Sequence, residues 1–200
     1  MAPRPPRSGA DPIRHTAIVG DVAAMWSKLA WDVDVFRDIQ TGYPHEQQPL
    51  AYAAINVCIA ATSLRNWAET AVRSDARASG RAFDKQGFDN DLIVAVPAQA
   101  MCEAIANTAK HSRFADGEWP GGRVNLEWEE GDEDSPPGWI LRYGAEETAD
   151  PGLSVNRFGS LPETWWAHLR DLQLVEGDLH LPEWQQNKLR QIFGHSPSID

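Results

Sequence analysis

An imidazole, an amide and an ammonium fall close together in the stretch Ala100-Met101-Cys102-Glu103-Ala104-Ile105-Ala106-Asn107-Thr108-Ala109-Lys110-His111-Ser112-Arg113-Phe114. At about 100° per residue on a helix, Asn107 and His111 form an i, i+4 pair whose side chains meet on one surface. Glu103, Lys110 and Phe114 flank the same stripe, while Ala98, Met101, Ile105, Thr108, Ala109 and Ser112 gather on another side and are expected to pack. Such a trio has chemical sense for phosphodiester cleavage without a metal. His111 would carry a proton near neutral pH, Asn107 would orient the scissile phosphate, and Lys110 would offset developing charge. The same residues also read as an ordinary solvated helix face, with His111 in the last turn interacting favourably with the helix's carbonyl end.

The chain around this stripe is mostly helical in pattern. Val22, Met25, Trp26, Leu29, Val33 and Phe36 recur at three- and four-residue steps behind Asp21, a suitable N-cap. After Thr41-Gly42-Tyr43-Pro44, a second helix is expected from Pro49 to about Val72, apolar nearly all round and therefore central. Arg73 to Gly87 is polar and reads as a loop or a poorly held helix. Phe88 to Val96 is a short apolar piece, and Pro97 opens a third strong helix that ends near Phe114. The period then changes. Val124, Leu126 and Trp128 alternate with polar residues, as do Trp139, Leu141 and Tyr143, which predicts a β-hairpin with a long acidic turn. Ser160 and Glu163 have capping-box spacing before a helix carrying Trp165, Trp166, Leu169 and Leu172, and a last helix is expected from Pro182 to Phe193. The fold class is therefore mainly α, a helical bundle with an appended β-hairpin and C-terminal helices.

Composition sets the wider limits. The 200 residues are 42% apolar, enough for a real core, and 18 basic against 29 acidic side chains leave a net charge of -11. That balance argues against non-specific coating of nucleic acid by the whole surface. Residues 1–114 carry 12 basic and 12 acidic side chains and residues 115–200 carry 6 and 17, so the excess negative charge lies in the C-terminal part. Three regions follow: a disordered arm over 1–14, a helical bundle over 15–114, and an acidic hairpin with a helical extension over 115–200. No stretch is long and apolar enough to span a bilayer, so a cytoplasmic location without membrane contact is expected. Cys58 and Cys102 read as buried reduced thiols. His15, His45, His168 and His180 show no zinc spacing and read as surface or cap residues, so neither a metal nor a cofactor is expected. Asp32, Asp34 and Asp38 read as solvated, and Trp26, Trp128, Trp139 and Trp165 as core.

The segment Ile105-Ala106-Asn107-Thr108-Ala109-Lys110-His111, following a long small-residue helix that ends in Leu64-Arg65-Asn66-Trp67, resembles the Asn-x-x-Lys-His pattern of bacterial proteins related to the HEPN superfamily. The resemblance covers residues 15 to 114. It implies an all-α bundle, a homodimer, and a metal-independent ribonuclease of a toxin or phage-defence system acting on RNA. The ribonuclease motif of that superfamily is an arginine, then four to six residues, then the histidine; counting back from His111 the arginine would fall at Ala106, Ile105 or Ala104, and none is basic. Phosphate binding would then fall to Lys110, Arg113, Arg65 or a second subunit. Arg190 and His195 satisfy the full spacing near the C-terminus, in a chain where chance alone yields about one such match. The alternative is a non-catalytic helical interaction module that binds a protein partner through the acidic region Glu127 to Asp134 and Glu146 to Asp150.

Overall fold

The computed structural model describes residues 12–113, 117, 119–132, 136–145 and 152–193. Among them the helices are α1 Ile13–Thr16, α2 Val22–Gly42, α3 Gln47–Ala78, α4 Lys85–Ala95, α5 Gln99–His111, α6 Ser154–Asp171 and α7 Glu183–Phe193. The strands β1 Gly122–Glu129, β2 Gly138–Ala145 and β3 Gly152–Leu153 form an antiparallel sheet in that order. The protein is mainly α with an appended hairpin, as the two periodicities predict.

The apolar stripe of α2 packs along α3, and α5 lies against another side of α3. α6 closes the bundle against α2 and brings Trp165, Leu161 and Leu169 to complete burial. Asp21 caps α2 as its type and position suggest, accepting the Ala24 amide at 2.8 Å. The hairpin register sets Trp128 opposite Trp139, Leu126 opposite Leu141 and Val124 opposite Tyr143. These six side chains share the sheet face that turns toward the bundle, and only its β2 half is covered. Leu141 and Tyr143 are buried, whereas Val124, Leu126 and Trp128 remain over a third exposed. β1 therefore overhangs the bundle.

Several expectations need correction. α3 begins at Gln47 and runs on to Ala78, through residues expected to be loop, because Ala76 still buries on its inner side while Arg73 pairs with Glu69 one turn back. It is not apolar all round in effect, since Tyr52 and Ile59 face outward. α4 starts at Lys85 with Asp84 capping the Gly87 amide, so only Arg81 to Asp84 and the turn before them separate the two helices. Ser160 does not cap α6. The helix starts at Ser154, buries Phe158 ahead of the expected start, and carries Pro162 inside. Residues 13 and 14, assigned to the N-terminal arm, belong to α1, and residues 1–11 lie outside the described residues.

Buried polar groups were also misjudged from sequence. Asp32 is 8% exposed beside Lys28 and Asp34 is half-buried against Lys188, so neither is simply solvated, whereas Asp38, which shares Lys188, is exposed. His168 is buried at 4% exposure, and Trp128 is not core. Cys58 and Cys102 are free and buried, as expected. No single described helix is long and apolar enough to cross a membrane.

Candidate functional site

α5 is where the proposed chemistry would reside. Gln99, Met101, Cys102 and Ala106 are its buried residues, so the packed side is rotated from the one expected. Ile105 is half-buried, and Thr108, Ala109 and Ser112 are exposed. The helix stops at His111 because Ser112 adopts a left-handed conformation, φ 53°, and returns its amide to the Thr108 carbonyl at 2.9 Å. Lys110 and His111 occupy the last turn, next to the unsatisfied carbonyl end where cationic side chains are favoured.

Asn107 is half-buried, while Lys110, His111 and Arg113 are exposed. The three expected catalytic residues thus share the final two turns of one helix, with the imidazole open to solvent. Phe114 lies outside the described residues.

Arg65, the other candidate phosphate ligand, is committed elsewhere. Its guanidinium meets Asp89 of α4 at 2.7 Å, Glu69 of α3 at 3.0 Å and Glu103 of α5 at 3.7 Å. Glu103 also accepts from the buried Gln99 amide at 2.7 Å. Burial acts to lower the Arg65 pKa, but the hydrogen bond to Asp89 and the charges of Glu103 and Glu69 outweigh it and hold the group more firmly cationic. Its charge is spent on fastening three helices. Glu103 precedes His111 by eight residues, a rise of about 12 Å along the helix, which keeps this guanidinium out of the imidazole's reach.

The other chemically capable groups are similarly occupied. The Cys58 thiol of α3 is fully buried, and burial first, then the neighbouring Cys102 of α5, pushes its pKa well up, the opposite of an activated nucleophile. Arg190 is exposed and bonds Asn187 on its own helix, and His195 lies outside the described residues. Among the described residues no group of three or more His, Cys, Asp or Glu is arranged to hold a metal ion.

What sequence reasoning missed is a cavity. Beneath the β1 overhang, α3, α5, α6 and the sheet line an apolar cleft of about 360 Å³ that opens to solvent past Thr108 and Ala109. Ala54 and Ala104 leave the gap between the two helices, Val124 and Tyr143 roof it, and Trp119 and Phe158 supply aromatic walls. The Trp119 ring lies so close to Gly122 that a Cβ there would stand 2.1 Å from it, so this wall requires glycine. The alternating strand and the alanine-rich helices were each readable, but nothing in either pattern announces that they meet without filling the space between them. Compared with family models, curated proteins and solved structures, the chain finds no match in any of the three.

Proposed function

We propose that the chain is a HEPN-like, nuclease-derived helical module of a bacterial defence or toxin-type system that binds a basic protein partner through its acidic C-terminal region rather than cutting RNA. The observation that carries this reading is the capture of Arg65 by Asp89, Glu69 and Glu103, which withholds its partly buried guanidinium from any phosphate. The hairpin supplies the complementary half of the reading. Glu127, Glu129, Glu130 and Asp132 are exposed, and Arg142 pairs only with Glu127 and Glu129 among these. Val124, Leu126 and Trp128 alternate with these carboxylates on the opposite face of β1 and stay over a third exposed, so a basic segment laid along the strand edge would meet charge on one face and apolar area on the other.

The test pairs two measurements on the full chain. Anisotropy of a fluorescein-labelled peptide alternating Lys and Leu is expected to rise with saturable binding that weakens with salt. The triple variant Glu127→Gln, Glu129→Gln, Glu130→Gln should lose about tenfold or more in affinity. RNA incubated with the protein in EDTA should stay intact.

RNA cleavage is the second reading, favoured by the grouping of Asn107, Lys110 and His111 on the last two turns of α5 with Arg113 just beyond. In that scheme His111 moves the proton, Asn107 positions the phosphate and Lys110 balances charge, with RNA the substrate and a homodimer completing the site. Cleavage in EDTA that His111→Ala abolishes would establish this second reading and overturn the first.

A further inference from the structure

Resting on the partner reading above, we infer that the basic segment docks as an added strand. It runs antiparallel along the outer edge of β1, with alternate residues hydrogen-bonded to the main chain of Val124, Leu126 and Trp128.

Which main-chain groups of β1 face outward follows from the bonds its neighbour makes. Along an antiparallel pair, residues whose amide and carbonyl point at the other strand alternate with residues whose groups point away. Trp139 of β2 points away from β1, since its amide donates to the Pro44 carbonyl at 2.7 Å and its carbonyl accepts the Gln40 side-chain amide at 2.7 Å. Trp128 lies directly across from Trp139, so its own amide and carbonyl turn outward, and by the same alternation so do those of Leu126 and Val124. The start of the strand agrees. Gly122, in that alternation too, gives its amide to the Trp119 carbonyl at 3.0 Å. The far margin of the sheet is taken up by β3, Pro44 and Gln40, whereas the margin along β1 has no strand against it among the described residues. Such a row of outward amides and carbonyls is a template for an extended peptide.

The side chains along this edge set what the added strand must carry. Residues directly across from one another share a face, so partner residues paired with Val124, Leu126 and Trp128 extend the apolar face and cover side chains that are now over a third exposed. Trp128 is steadied there between the His45 ring, stacked at 5.4 Å, and the Trp139 ring at 5.6 Å. The intervening partner residues fall on the other face, beside Glu127 and Glu129. Those two carboxylates share the Arg142 guanidinium, and the exposed Glu130 follows them, so towards the hairpin turn the edge is negative and suits lysine or arginine. Arg123 stands on this face at the other end of β1, which makes the preference for a cation strongest beside the turn. The occupant is thus an extended segment alternating apolar and basic residues. An antiparallel course matches both strand pairs already in the sheet and gives the stronger pairing per residue.

The test leaves the protein unaltered and changes the peptide backbone instead. The labelled peptide alternating Lys and Leu is compared by anisotropy, on the full wild-type chain, with one form N-methylated at two of its leucines and another N-methylated at the lysine after each of those leucines. In the antiparallel addition the leucine amides point into β1 and the lysine amides point to solvent. Methylation at leucine should therefore weaken binding about tenfold or more, and methylation at lysine should change it by less than about twofold. Both forms carry the same number of methyl groups, so stiffening of the peptide is common to them. Failure of the unmethylated peptide to bind would overturn the partner reading and the added strand together. Methylation that acts alike at the two sets of positions, weakening both forms or neither, would overturn the added strand alone and leave a segment held by its side chains. A loss confined to the lysine-methylated form would overturn the antiparallel course, because a parallel strand turns those amides inward.

Discussion

His168 sits between Phe88 and Trp165, with ring centroids 6.3 and 5.8 Å away, and its Nε2 has no hydrogen-bond partner among the described residues. Burial lowers its pKa from 6.5, and the charges of Asp171 and Asp91 only partly oppose this. The unfolded chain therefore takes up the proton before the folded one does. The contribution to stability is fully present above about pH 6.5 and is lost as the pH falls from there through the lower folded value. Replacing the imidazole by a ring that cannot ionise, His168→Phe, is expected to flatten the dependence of melting temperature on pH between about 6.5 and 5, measured against wild type in the same buffers. A parallel acid arm in both proteins would assign the effect to another group. Arg65 gives a second residue-scale expectation. Arg65→Met should destabilise the fold by about 2 kcal/mol in urea unfolding at neutral pH, because three carboxylates lose their shared cation. Of the two, neither was legible in sequence. Arg65 was visible as a cation near the right helix, but its partners Asp89 and Glu103 come from α4 and α5, and only the packing of those helices brings them to it. The Asn107, Lys110 and His111 grouping was legible, because i, i+4 spacing on one helix needs no tertiary knowledge.

α7 is fastened to the bundle by few contacts of unusual kind. Lys188 reaches both Asp34, at 2.7 Å, and Asp38, at 2.7 Å, on α2. Trp184 lays its ring edge-on to Trp31 at 5.0 Å and donates its indole N–H to Ser27 at 3.2 Å. With so little buried surface the helix should open locally without unfolding the rest. Trp184→Ala is expected to bring the amides of residues 183–193 to near coil rates in hydrogen exchange while those of α2 and α3 keep their protection. Protection lost together everywhere would show α7 to be part of the global unit. At this scale sequence reading succeeds where one period dominates, as in α2 and the hairpin, and fails where local signals imitate an end. Ser160, Glu163 and Pro162 look like the start of a helix, yet Phe158 and Leu161 bury against the bundle and draw the helix back to Ser154. The Trp26 indole then donates to the Pro162 carbonyl at 2.8 Å, tying that turn to α2. The polar end of α3 is the reverse case, a helix continued by one buried alanine and an i, i+4 ion pair where composition suggests a loop.

Across the molecule, charge is divided unevenly: residues 1–114 are neutral overall, and the excess of 11 negative charges belongs to residues 115–200. Crowded like charge opposes compactness, and the effect is screened over about 10 Å at 0.1 M salt. Raising the ionic strength from about 0.02 to 0.3 M is accordingly expected to increase the melting temperature by a few degrees. A decrease would mean that the ion pairs of Arg65, Arg142 and Lys188 matter more than the general repulsion. The same charge bears on the outermost strand. β1 is eight residues long, lies at a margin of the sheet, and carries no proline or lysine to blunt it. Its exposed carboxylates, Glu127 and Glu129, put like charge against the edge of any second copy. Near pH 4.9, where the chain's net charge vanishes, that safeguard disappears, and a concentrated sample should coalesce edge to edge into ribbons, showing as thioflavin fluorescence and a 4.7–4.8 Å fibre reflection.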